Sequence, residues 1–248
     1  MKIKFFISVI IFFILISQLS VAQSFNHQLF DQILSKYVRQ GLVDYKSLKS
    51  EKKLDEYLKS VSKADVKSLT KDEELAFWIN AYNAYTLKLI VDYYPVKSIK
   101  DIGITFIASP WDKEIAVIGG KKYTLNNIEH DIIRKKFNEP RIHFALVCAA
   151  ISCPPLRSEA FTGQRLNEQL NQQVEIFFTD KSNNSLDQQK KIMTLSKILD
   201  WYKGDFEKAG NYYEIMWNYF PSKLRPTEFT KSYSVKYNDY NWSLNEQH

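Results

Sequence analysis

Only two cysteines occur in 248 residues, so this is no small scaffold held by staples, and a chain of this length can bury a full core without them. Neither cysteine lies near residue 22, which leaves a lipoprotein acyl anchor without an attachment point. Beyond that residue no apolar run approaches the roughly 20 residues needed to span a bilayer. The chain also lacks a basic arm: 34 Lys and Arg stand against 28 Asp and Glu, spread along the whole length. That distribution excludes the charged stripe of a nucleic-acid binder. No solenoid-period repeat and no low-complexity linker divides the sequence. Paired histidines at helical metal spacing are missing as well, so neither a metal nor another cofactor is expected.

What is present begins with a leader. Lys2 and Lys4 precede an apolar run from Phe5 to Ile16, and Ser20-Val21-Ala22 supplies small residues before Gln23. The pattern is that of a signal peptide over residues 1–22. It predicts an exported protein, periplasmic or extracellular, with one globular domain over residues 23–248 and no transmembrane segment once the leader is removed. Net charge is +6, and losing Lys2 and Lys4 leaves a mild +4. A hydrophobic fraction of 45% and an aromatic fraction of 15% fit a globular core.

Apolar spacing predicts helices over residues 26–38 and 54–61, with a short extended piece at Leu42 to Tyr45. Thr70-Lys71-Asp72-Glu73 is a capping box opening the strongest helix, which runs to Tyr94 and stops at Pro95. That helix is apolar nearly all round, which places it at the centre of the fold. Ile115 to Ile118, Gly119-Gly120 and Lys122 to Leu125 read as a hairpin. Asn126 to Glu129 reads as a second capping box, starting a helix through Phe137. Arg141 to Ala149 reads as a strand. Two helices are expected between Gly163 and Thr179, and others at 196–202 and 212–219. The expected class is α+β: a mostly helical single domain whose central apolar helix packs on a small antiparallel or mixed sheet.

The stretch from His143 to Arg157 carries the densest chemistry and both cysteines. Two cysteines in an exported protein first suggest a disulfide. Yet five residues of strand span about 16 Å, whereas a bridge needs Cα atoms within about 7 Å. Ala149-Ala150-Ile151-Ser152 offers no Gly, Pro or Asn to turn the chain back. A disulfide, two inert thiols and one reactive thiol therefore stay open. A reactive Cys148 needs an imidazole helper. On a strand it would share a face with Ile142, Phe144 and Leu146, with His143 on the other. His130 is accordingly the first candidate base and His143 the alternative. Glu129 could orient a partner, although its simpler role is the third residue of a cap. Asn80 and Asn83 sit three apart on the apolar helix, where an unpartnered amide costs about 1–3 kcal/mol. They either build a buried network or face a cleft.

Five motifs in order resemble the domain of unknown function 547 family: Phe77 to Thr86, Ser98 to Ile102, Leu125 to His130, His143 to Arg157 and Leu195 to Tyr202. The likeness covers about residues 75–206. It departs at Ala149, where glycine is common, and at Tyr85, where a smaller residue is usual. The resemblance implies that Asn80, Asn83, Glu129, His130, His143, Cys148, Pro154 and Arg157 share a site or a core. A looser likeness to papain-like and transglutaminase-like thiol enzymes rests on the mix of Cys, His and amide residues alone, in a different order.

The leading expectation is a thiol-dependent hydrolase or acyl transferase acting on an amide or peptide. Cys148 would be the nucleophile, His130 or His143 the base, and Asn80 or Asn83 the orienting or oxyanion-binding amide. Arg157 and Glu129 would bind an unidentified small-molecule or peptide substrate, Arg157 through its carboxylate. The rival is a non-catalytic extracytoplasmic binding or scaffold module whose cysteines pair.

Overall fold

The computed structural model describes residues 24–103, 109–225 and 233–247. The expected signal peptide and its cleavage point lie outside these residues. Helix α1 (Gln28–Tyr37) buries Phe30, Ile33, Leu34 and Tyr37 and runs into a two-residue ribbon, β1 (Val38–Arg39) with β2 (Leu42–Val43). A single turn, α2 (Tyr45–Leu48), leads to α3 (Lys52–Val61), whose Leu54, Tyr57, Leu58 and Val61 face the same core.

The reciprocal cap read from the sequence forms. Glu73 Oε2 accepts from Thr70 N at 3.1 Å while Thr70 Oγ1 accepts from Glu73 N at 3.4 Å. It launches α4 (Lys71–Tyr93), which ends where Tyr94 turns extended before Pro95. From Leu75 to Val91 only Lys88 escapes full burial. α4 therefore forms the axis of the larger core, packed by α2, α3 and the segments around residues 127–133 and 163–165. It meets the antiparallel hairpin of β3 (Ala116–Ile118) and β4 (Lys121–Tyr123) through Tyr85, whose hydroxyl bonds Val117 O at 2.7 Å, and through Trp78 against Tyr123.

Residues Asn127–Ile133 form a wide, π-type helix that tightens into α5 (Arg134–Lys136). Its start differs from the expected capping box. Thr124 and Asn127 cap each other, at 3.1 Å and 2.9 Å, while Asn126 makes no capping bond. The cap therefore closes two residues earlier, and Glu129 is released from it.

The strand expected over Arg141 to Ala149 is corrected to a 3-10 helix (Pro140–Phe144) and a buried loop. Pro140 has no N–H for a ladder, and Glu139 caps the turn by accepting from Arg141 N at 3.1 Å. Between Gly163 and Thr179 one helix, α6 (Leu166–Thr179), follows a short 3-10 turn, in place of the two expected. A three-stranded mixed sheet comes next: β5 (Ser185–Asp187) pairs antiparallel with β6 (Ile192–Leu195). Helices α7 (Lys197–Trp201), α8 (Lys203–Glu207) and α9 (Tyr212–Tyr219) intervene. Then β7 (Ser234–Tyr237) adds parallel to β6.

The architecture is α+β, with two abutting cores. α6 joins them: Leu166 and Leu170 enter the core around α4, whereas Val174, Phe177 and Phe178 enter a second one with Phe144, Leu195, Phe206 and Met216. The mixed sheet belongs to this second core. Residues 238–247 return across the first, where Asn245 accepts from Tyr45 Oη at 2.7 Å and donates to Gly41 O at 3.1 Å. Among the described residues no helix is long and apolar enough to cross a membrane.

Candidate functional site

Four buried amides explain how the loop after Pro140 holds its shape without a partner strand. Asn83 donates to Ala145 O and accepts from Val147 N, both at 2.9 Å. Asn80 treats Phe161 the same way, donating to its carbonyl at 2.8 Å and accepting from its N–H at 2.9 Å. Gln173 donates to Phe144 O and Pro155 O, and Gln169 to Ala160 O. Each side chain replaces a strand neighbour for a loop that would otherwise bury unpaired backbone. Asn80 and Asn83 are thus staples between α4 and two loops. Their expected role of orienting a catalytic group is corrected, because both ends of each amide are occupied by backbone.

That loop turns sharply after Leu146. Ala149 adopts a left-handed conformation at φ 60°, which a side chain rarely takes. Cys153 N then donates to Ala150 O at 3.0 Å. The reversal brings the Cα atoms of Cys148 and Cys153 to 6.2 Å, and the two sulfurs form a disulfide. The extended span assumed for a strand does not apply. Cys148 has no thiol to ionise, so the expected nucleophile is corrected to half of a bridge. Tyr240 Oη lies 3.2 Å from each sulfur. The native protein should take up no iodoacetamide until reductant is added, as read by intact mass. Cys153→Ser should lower unfolding stability by about 2 kcal/mol, the entropy of closing so short a loop.

The bridge forms part of the wall of a cleft of about 300 Å³ on the seam between the two cores. Glu129, His130 and His143 line it together with Cys148, so the structure brings four of the expected site residues to one place. His143 reaches it because the 3-10 turn abolishes the strand parity that had set it aside. Sequence spacing does not gather the aromatic lining of Tyr82, Trp111, Trp201, Tyr202, Tyr240 and Trp242 into one place. Trp201 stacks on Trp242 with centroids 5.9 Å apart, and Tyr240 packs 4.5 Å from Trp242.

A polar chain supports one side. His143 stacks on Tyr202 at 3.9 Å, and its Nε2 lies 2.9 Å from Asp205 Oδ2. Arg134 Nε donates to the same carboxylate oxygen at 2.6 Å, and Arg134 Nη1 reaches His130 Nδ1 at 3.0 Å. The bond to His143, reinforced by those to Arg134 and Lys208, holds the Asp205 carboxyl far below the usual carboxylate range. Burial pushes the His143 imidazole down as well. Both shifts together describe a neutral imidazole donating Nε2–H to an ionised carboxylate. The Tyr202 hydroxyl, like that of Tyr82, interacts with Glu129. Burial raises the hydroxyls of Tyr82 and Tyr202, and hydrogen bonding to Glu129 raises both further.

Arg157 lies elsewhere. It lines a larger open hollow of about 1070 Å³ beside Gln172, Gln173 and Glu159. Its guanidinium is engaged by Glu159 and by Gln172 Oε1 at 2.8 Å. The fork expected to clasp a substrate carboxylate is therefore taken by the protein's own. Among the described residues no group of three or more His, Cys, Asp or Glu side chains stands ready for a metal ion.

Residues 66–178 match the family model described as "Protein of unknown function, DUF547". The chain carries a DUF547 domain. No curated protein and no solved structure matches the chain. The DUF547 match ends inside α6, so the motif from Leu195 to Tyr202 lies beyond it. The DUF547 segment supplies Glu129, His130, His143 and both cysteines, while Asp205, Trp201, Tyr202, Tyr240 and Trp242 come from the chain that follows it.

Proposed function

We propose that this protein is an exported binding module whose aromatic cleft holds a small ligand, with the disulfide serving as wall. The observation that carries this reading is the Cys148–Cys153 bridge at the cleft. A thiol-dependent hydrolase or acyl transferase needs an ionisable sulfur, and a bonded sulfur offers none. The amides assigned to catalysis bind backbone, and the arginine assigned to substrate binds Glu159. Among the described residues, what remains facing the cleft is ring surface, Leu146 and Ile198, one buried carboxylate, two imidazoles and the Asn126 amide. That mixture of apolar faces with a few convergent polar groups is the lining of ligand pockets, and about 300 Å³ falls at the lower end of their range. Export is supported by the leader pattern of residues 1–22.

A panel of soluble amines, sugars, dicarboxylates and dipeptides, followed by tryptophan fluorescence and thermal shift, tests the reading. One class should quench fluorescence and raise Tm, and Trp201→Ala should weaken it about tenfold. Trp201 is 47% exposed, so its removal leaves the core intact. Amide-bond cleavage by the purified protein that disappears in Cys148→Ser would overturn the proposal. So would a panel in which no class binds.

A further inference from the structure

Among the described residues Glu129 is the one carboxylate on the cleft wall, with only 8% of its side chain exposed. Two tyrosine hydroxyls approach it, those of Tyr82 and Tyr202. The nearest ring nitrogen, His130 Nδ1, stands 3.9 Å away. That nitrogen already accepts from Arg134, which can only donate, so it has no proton to give Glu129. Arg134 itself is turned to Asp205, which also holds Lys208 at 2.8 Å. Asp205 thus has two cations beside it, while no lysine or arginine forms an ion pair with Glu129 among the described residues. Arg134 acts on Glu129 through space but spends its hydrogen bonds on Asp205 and His130, so a charged ligand group in direct contact would relieve the cost of burying this carboxylate.

The rings around it suit the same guest. Tyr240, Trp201 and Trp242 line the cleft with aromatic rings, whose negative quadrupoles attract a cation within about 6 Å. Two such contacts are already built: Lys100, which is not on the cleft wall, holds its ammonium 3.8 Å from the centroid of the Trp242 ring, and the Arg134 guanidinium lies 5.0 Å from that of Tyr202. An anionic ligand would meet Glu129 head-on. A neutral sugar would use the rings but leave the carboxylate unanswered.

We propose that the cleft binds an organic ammonium group, quaternary or otherwise bulky, seated on the Trp201–Tyr240–Trp242 rings with its charge facing Glu129. This rests on the binding-module reading above and narrows it to one ligand class. The experiment compares choline with 3,3-dimethylbutan-1-ol, which has the same shape without the charge, by tryptophan fluorescence on the full-length mature protein. Choline should bind at least tenfold more tightly than the alcohol. Glu129→Gln keeps an oxygen for the two tyrosines and should erase that difference. Equal binding of the two compounds would overturn the ammonium proposal and leave the binding-module reading standing. If neither binds, the ammonium proposal falls, and the wider panel alone decides the binding-module reading. Should Glu129→Gln fail to fold, Trp201→Ala serves in its place: choline affinity unchanged in that variant also overturns the proposal.

Discussion

Replacing Asn83 with alanine should lower unfolding stability by about 4 kcal/mol. The substitution strands two buried backbone groups, the carbonyl of Ala145 and the N–H of Val147, each now paired to the Asn83 amide at 2.9 Å. An unsatisfied buried group costs about 1–3 kcal/mol, and neither can reach water. Urea denaturation of Asn83→Ala against wild type reads the effect. Asn83→Ala that unfolds within 1 kcal/mol of wild type would show that the loop finds other partners, and the staple argument would be lost. Asn80→Ala should behave similarly through Phe161. Because the two amides sit three residues apart on α4, the double variant should depart from simple additivity.

Acid should weaken the fold well before carboxylates titrate, and His27 is the main reason. It is buried against Phe25, Tyr57 and Phe77, with Nδ1 2.8 Å from Tyr57 Oη. Burial pushes its pKa down to about 4, from 6.5 when exposed. A depressed folded pKa means the unfolded chain takes up the proton first. The stabilisation is complete above pH 6.5 and is lost as pH falls towards 4. Across that window the loss amounts to about 3 kcal/mol for this residue alone. His143, also depressed by burial, adds to the slope below 6.5. Asp205 contributes only at lower pH, below its ordinary 3.8. Stability measured at pH 7 and pH 4 should therefore differ far less in His27→Gln than in wild type. An unchanged difference would remove His27 from the account.

The sequence made some features legible because their causes are local. α4 announces itself through Thr70, Glu73 and an apolar surface on every side, and the β3–β4 turn through Gly119 and Gly120. The stretch from Ile142 to Ala149 was misread for a physical reason. A continuous apolar run fits any buried backbone, and what decided between strand and loop was Asn83 and Gln173, residues far away in sequence. Glu129 was assigned to a cap because Thr124, which takes the cap with Asn127, stands just outside the pattern. The pairing of His143 with Asp205, 62 positions on, leaves no trace in spacing. Likewise Tyr240 and Trp242 reach the cleft only because β7 lies parallel to β6.

The route of the chain also sets an order of events. Synthesis delivers both cysteines, the buried carboxylate and both imidazoles long before Tyr240 and Trp242 emerge. Until residues 238–247 are in place, the cleft lacks the Tyr240 and Trp242 part of its wall. A copy lacking residues 233–247 would keep its DUF547 segment yet have an incomplete cleft wall.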